Sequence, residues 1–161
     1  MGYINEERCR ASWWYHYDEA HVDELATRLA PDVHYVCRSD SGASPFEEMV
    51  RADTRGRQDT MTWLVDHRRN SPYPLRHFGG NVFRVGAESG SGAFGSYLFV
   101  TKIVRSLPVN VSTGMVWGTV YRGPDGPWFT SMETVLDTRD SVPLSTLASA
   151  VPTGAGLGRS R

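Results

Sequence analysis

Two short segments hold the residue types best suited to chemistry. One is Arg76-His77-Phe78-Gly79-Gly80-Asn81. His77 opens a long strand-like run, so its ring projects from a strand end toward whatever packs on the sheet. An imidazole titrates near neutrality, which suits general acid or base work. It can also be a histidine hydrogen-bonded at a helix–sheet corner, and the segment alone does not choose. The other segment is Trp13-Trp14-Tyr15-His16-Tyr17-Asp18. A carboxylate closing a first helix can pair with a cavity histidine, fix its tautomer and raise its basicity. Equally, Asp18 can face solvent while Trp13 and Tyr17 serve only the core.

The elements that would position these residues follow from periodicity and turn chemistry. Cys9, Trp13, Tyr17 and Ala20 form one helical stripe over Ile4 to Asp18, and Val22, Leu25, Ala26 and Leu29 mark a second short helix. Ala30-Pro31-Asp32 stops it, and Val33 to Arg38 reads as a strand. Ser44-Pro45-Phe46-Glu47 has a capping serine, a proline at the first helical position and a glutamate three residues on. Helical signal continues from there to about Arg69, broken near Gly56. After Pro74 come four strand-like runs: Leu75 to Ala87, Phe94 to Arg105, Val109 to Arg122 and Trp128 to Asp137. Tight turns between them imply an antiparallel meander. The expected class is α+β, with helices packed on one face of a curved sheet. One domain is expected over residues 1–145, with a flexible tail over 146–161 rich in Ser, Pro, Gly and Ala.

Three further residues are candidates for lining a cavity on this sheet: Tyr97, Trp117 and Glu133, each on a different long strand. A glutamate in an apolar run costs free energy if buried unpaired. Glu133 therefore reads as a cavity acid, a salt-bridged interface group or an exposed edge residue. The strands carry large apolar residues on both faces; Met115, Trp117 and Tyr121 oppose Val116 and Val120. The face away from the helices is expected to be buried by a second subunit, giving a homodimer.

Several function classes lack their marks. There is no HExxH, paired CxxC or GxSxG, so neither metal ligands nor a serine nucleophile is expected, and no cofactor is called for. Gly90-Ser-Gly92-Ala-Phe-Gly95 matches GxGxxG by letter, but strand precedes and strand follows, and a dinucleotide fingerprint must open a helix. Formal net charge is −1, which gives no electrostatic case for nucleic acid or anionic membrane. No run approaches the roughly 20 apolar residues that span a bilayer. The opening residues lack a signal-peptide core, and the two cysteines suit a reducing compartment, so a cytoplasmic location is expected.

Tyr17-Asp18 through Asp23-Glu24-Leu25, then Leu29-Ala30-Pro31-Asp32-Val33, a strand ending in Arg38-Ser39, and Arg76-His77-Phe78 together resemble the nuclear transport factor 2-like superfamily. The likeness is greatest to its SnoaL-like and scytalone-dehydratase-like enzymes. The runs Arg38-Ser39-Asp40, His77-Phe78-Gly-Gly-Asn81 and Asp137-Thr138 also resemble small (β) subunits of ring-hydroxylating dioxygenases. The resemblance implies a cone-shaped domain with a closed pocket. It implies a catalytic dyad at Asp18 and His77, with substrate-binding tyrosines at Tyr17 and Tyr35. A further pocket tyrosine of that family falls at Cys37, and its second pocket histidine has no match in the sequence. The implied activity is cofactor-free acid–base chemistry, as a dehydratase, isomerase or cyclase. Its substrate would be a small apolar metabolite, polyketide- or terpenoid-like, of bacterial secondary metabolism. The alternatives are a non-catalytic dioxygenase subunit, which would trimerise, and a ligand-binding module.

Overall fold

The computed structural model describes residues 12–88, 91–123 and 126–147. Helix α1 covers residues 12–18 of this range and α2 is Val22–Ala26. Then come β1 (Leu29–Ser39), α3 (Glu47–Val50), β2 (Ala52–Arg55) and α4 (Arg57–Asn70). The second half is β3 (Leu75–Glu88), β4 (Ser91–Val104), β5 (Leu107–Gly123) and β6 (Gly126–Leu136), followed by a 3₁₀ turn at Leu144–Thr146. The expected start of the first helix, from Ile4, lies outside the described residues, as does the tail beyond Leu147.

All six strands form one sheet in the order β2-β1-β6-β5-β4-β3. The expected α+β arrangement holds, and the last four strands form the expected antiparallel meander. One pairing differs from a purely antiparallel sheet: β1 runs parallel to β6, with Tyr35 opposite Met132 and Cys37 opposite Thr134. The reason is topological. The helical segment carries the chain across the sheet to β3, which runs opposite to β1, and the three reversals of the meander bring β6 back beside β1 in the direction of β1.

The helical reading from Ser44 onward is corrected. Only Glu47–Val50 and Arg57–Asn70 are helical, and Ala52–Arg55 is an edge strand antiparallel to β1. Ala52 packs inward, and Asp53 pairs with His34 across the strands at 2.7 Å. Gly56 then takes φ +87°, open to glycine at little cost, and starts α4. The expected capping glutamate has a further use. The Glu47 carboxylate accepts the Ser44 hydroxyl at 3.4 Å and also the Ser39 backbone N–H at 3.3 Å, pinning the end of β1 to α3.

The core lies between α1, α2, α4 and one sheet face. Parity sets which residues reach it: Val33, Tyr35 and Cys37 from β1, Phe94, Leu98 and Val100 from β4, and Met132 and Leu136 from β6. Trp13 sits edge-on to Phe129, with ring centroids 5.3 Å apart. Such a pair contributes about 0.5–1.5 kcal/mol beyond its burial. The opposite sheet face exposes Phe78, Phe83, Tyr97, Phe99, Trp117 and Tyr121. Gly95 lies under two of these rings; a Cβ there would meet Phe83 Cζ at 2.5 Å and Trp117 Cζ3 at 2.7 Å. Gly92 and Gly95 are strand residues of β4, which places the GxGxxG match outside any helix start; residues 89 and 90 lie outside the described range. Among the described residues no helix is long and apolar enough to cross a membrane.

Candidate active site

Two chain segments distant in sequence converge at the inner end of β3. Helix α1 ends on Asp18, which is buried, and His77 is the third residue of β3. The Asp18 carboxylate takes both of its bonds from this one residue. His77 Nδ1 lies 2.6 Å from Oδ1, and the His77 backbone N–H donates to Oδ2 at 2.9 Å. An ionised carboxylate only accepts, so opposite one the hydrogen on Nδ1 belongs to the imidazole, and in the neutral ring Nε2 then carries the lone pair. The two side chains are only 5% and 10% exposed, which excludes most competing water.

The imidazole is held in plane by aromatic neighbours. The Trp14 indole stacks on it, with centroids 4.8 Å apart and planes 10° from parallel. Tyr17 meets it edge-on at 5.3 Å. Trp14 can approach because residue 79 is glycine; a Cβ there would lie 3.0 Å from the indole Nε1.

His77 borders a cavity of about 420 Å³ between α4 and the sheet. Tyr17, Tyr35, Trp63, His67, Leu98 and Val100 contribute to its wall. A second cavity, of about 500 Å³, adjoins on the α1 side and is walled mainly by Trp13, Trp14, Phe94, Phe129 and Met132, with Asp18 and His77 at its end. Both volumes suit a small organic ligand, and both linings are largely apolar with a few polar groups.

No protein-family model matches this chain, and no curated protein matches it. Solved structures do. An NTF2-like protein with a cystatin-like fold from Novosphingobium aromaticivorans superposes with TM-score 0.68 at 16% identity, over 84% of this chain and 81% of that one. A candidate scytalone dehydratase from the same organism superposes with TM-score 0.66 at 16% identity, over 87% and 88%. A candidate dehydratase of the NTF2-like family from Streptomyces avermitilis gives 0.67 at 10% identity, over 84% and 95%. The fold is nuclear transport factor 2-like. At these identities the likeness speaks for the fold alone.

Within this nuclear transport factor 2-like fold, four of the seven expected site residues come together. Asp18 and His77 are bonded, and Tyr17 and Tyr35 both reach the 420 Å³ cavity. Burial drives both phenols well above the usual tyrosine range, so their hydroxyls keep their protons. Cys37 borders the same cavity, and burial pushes its thiol up to about 12. The other three expected residues lie on the opposite sheet face. Trp117 pairs in register with Glu133, and neighbouring Val116 and Thr134 take the inward positions. Tyr97 is 55% exposed while Ser96 and Leu98 point inward. Glu133 accepts from Arg38 Nη2 at 2.9 Å and Nε at 3.1 Å, which realises the salt-bridged reading rather than the cavity acid.

His67 was missed by sequence reasoning. It sits on α4, its Nδ1 shares a hydrogen bond with the Tyr17 hydroxyl, and its ring stacks on Trp63 at 4.6 Å. The available signal was the i, i+4 spacing of Trp63 and His67 inside a helical run. Burial first, then the charges of His77 and Arg68, lower its pKa to about 4. A histidine depressed in the folded state is neutral there while the unfolded chain still binds its proton. Its contribution is therefore fully present above about pH 6.5 and is lost as pH falls toward about 4. That is on the order of 3 kcal/mol at most. The melting temperature is expected to drop steeply over this window, and His67→Gln is expected to flatten the drop. An identical pH dependence in the variant, followed by differential scanning calorimetry, would contradict this.

Proposed function

We propose that the chain is an acid–base enzyme, a dehydratase, isomerase or cyclase, acting on a small, mostly apolar oxygenated metabolite of the polyketide or terpenoid kind. The observation that carries this reading is the buried Asp18–His77 pair, closed off by Trp14 and set at the edge of two apolar cavities. His77 Nε2 would take a proton from carbon beside a carbonyl. The protonated Tyr17 and Tyr35 hydroxyls would bind the oxygen on which charge develops, an oxyanion-type role. Returned to a leaving hydroxyl, the same proton completes a dehydration; returned to another carbon, it completes an isomerisation. Neither route needs a metal or a cofactor, and none is proposed.

A probe replaces the unidentified substrate. The α-hydrogens of 2-tetralone are acidic, and the molecule is flat, apolar and small enough for either cavity. The protein is expected to accelerate exchange of those hydrogens in D₂O with saturation kinetics, read by mass spectrometry. Exchange no faster than in buffer, for 2-tetralone and for a panel of β-hydroxy ketones, would overturn the reading.

A homodimer is part of the same proposal. Phe78, Phe83, Tyr97, Phe99 and Trp117 are exposed on neighbouring positions of β3, β4 and β5, an apolar surface of the kind that marks an interface. Native mass spectrometry is expected to give a dimer, and Phe99→Lys with Tyr97→Lys a monomer. A trimer would instead favour a dioxygenase-like subunit, and a wild-type monomer would remove the interface.

A further inference from the structure

We propose that Arg68 is the positioning residue of the acid–base pair: from α4 it grips the backbone carbonyl of Asp18 and the carbonyls that lead into β3, and so sets the Asp18–His77 geometry. This inference rests on the acid–base reading above. The guanidinium is buried, with 8% exposure. Its Nε and Nη2 both donate to the Asp18 carbonyl, at 3.0 and 2.8 Å. Its Nη1 donates to the Pro72 carbonyl at 3.1 Å and more weakly to that of Ser71 at 3.5 Å. Among the described residues it makes no ion pair with a carboxylate. A buried cation satisfied only by carbonyls is costly, and a neutral residue of similar volume would fill the space with less penalty. What the guanidinium supplies is a rigid planar fork that reaches two chain segments at once.

The three segments joined are those that build the site. Residues 17 and 18 of α1 bond residues 67 and 68 of α4 in parallel: Tyr17 hydroxyl to His67, Asp18 carbonyl to Arg68. Asp18 then reaches forward to the backbone N–H and the ring Nδ1 of His77 on β3. Through this relay Arg68 touches neither cavity group directly, yet a shift of its fork moves the carboxylate against the imidazole. Its charge also faces the site. Tyr17 from α1 and His67 beside it on α4 both feel it, and His67 also feels the charges of His77 from β3 and Asp66 from α4. The Tyr73 ring lies 5.7 Å from its central carbon.

Arg68→Lys keeps the charge and loses the fork; Arg68→Met loses both. In the full chain, Arg68→Lys is expected to slow 2-tetralone exchange about tenfold and Arg68→Met about a hundredfold, the scale on which misplaced catalytic groups cost rate. A merely structural arginine would change melting temperature without touching the hydrogen bond itself. The deciding readout is therefore the low-field Nδ1–H proton resonance of His77 by NMR. It is expected to move in Arg68→Lys and to disappear through solvent exchange in Arg68→Met, and the His67 titration is expected to rise in Arg68→Met only. If Arg68→Met does not fold, Arg68→Lys decides. A folded Arg68→Lys with an unmoved His77 resonance and a rate within twofold of wild type would overturn the proposal. Should the wild-type chain show no exchange activity, the enzyme reading fails, and the resonance still reports whether Arg68 positions the pair.

Discussion

His77→Gln is expected to slow 2-tetralone exchange by about 10²- to 10⁴-fold, the range a positioned general base contributes. Glutamine retains a donor for Asp18 and fills similar space, but it has no basic nitrogen. Asp18→Asn is expected to fall in the same range for a different reason. The carboxamide presents an N–H where His77 now meets an acceptor at 2.6 Å. If that N–H faces Nδ1, the imidazole must carry its hydrogen on Nε2, and the base is lost. If the amide oxygen faces Nδ1 instead, its N–H opposes the His77 backbone N–H, now 2.9 Å from the carboxylate, and the clamp opens. Both variants are expected to keep the wild-type circular dichroism spectrum, because the core residues around them do not change. Exchange within threefold of wild type in either variant would show that the pair is structural.

Gly114→Ala is expected to have the largest effect on stability. Gly114 lies on β5 opposite Leu136 of β6. A Cβ there would stand 2.3 Å from the Val135 carbonyl oxygen and 3.0 Å from Leu136 Cα. These are backbone atoms of a strand held on both edges, by β5 and by β1, so nothing flexible can yield. The expected cost is about 3 kcal/mol or more, at the upper end for overpacking. For a chain of this size that corresponds to a fall of roughly 10 °C in melting temperature. Gly80→Ala is the control, since a Cβ there meets nothing within 4 Å. It is expected to shift the midpoint by no more than about 2 °C. Equal midpoints for the two variants in thermal denaturation would contradict the close approach of β5 and β6.

How far the sequence carried these conclusions can be traced through particular residues. The four long strands were legible because Gly/Pro-rich turns and β-branched runs bound them, and because no helical period competes there. The pairing of Asp18 with His77 was legible only with the family resemblance, since nothing local to either residue points to the other. Parity was not legible. Strands β4 to β6 carry large apolar or aromatic residues on both faces, so Tyr97, Trp117 and Glu133 gave no sign of facing away from the cavity. Pairing register decides that, and register follows from the inward demand of Leu98, Val116 and Met132. The edge strand at Ala52–Arg55 was hidden by its brevity and by helical signal on both sides. His67 and Arg68 were hidden because a polar pair near a helix end reads as solvated surface until Tyr17 and the Asp18 carbonyl are placed against it.

The central proposal is that Asp18 holds the His77 hydrogen on Nδ1, so that Nε2 serves as the base toward a substrate. The most direct measurement is the ¹⁵N chemical shift of both His77 ring nitrogens at about pH 8.5, well above the ordinary histidine pKa of about 6.5. The expected result is a protonated Nδ1, with a strongly low-field hydrogen, and a bare Nε2. The hydrogen on Nε2 instead, or an even mixture of tautomers as in free imidazole, would contradict the account, because the pair would then offer no base to a substrate.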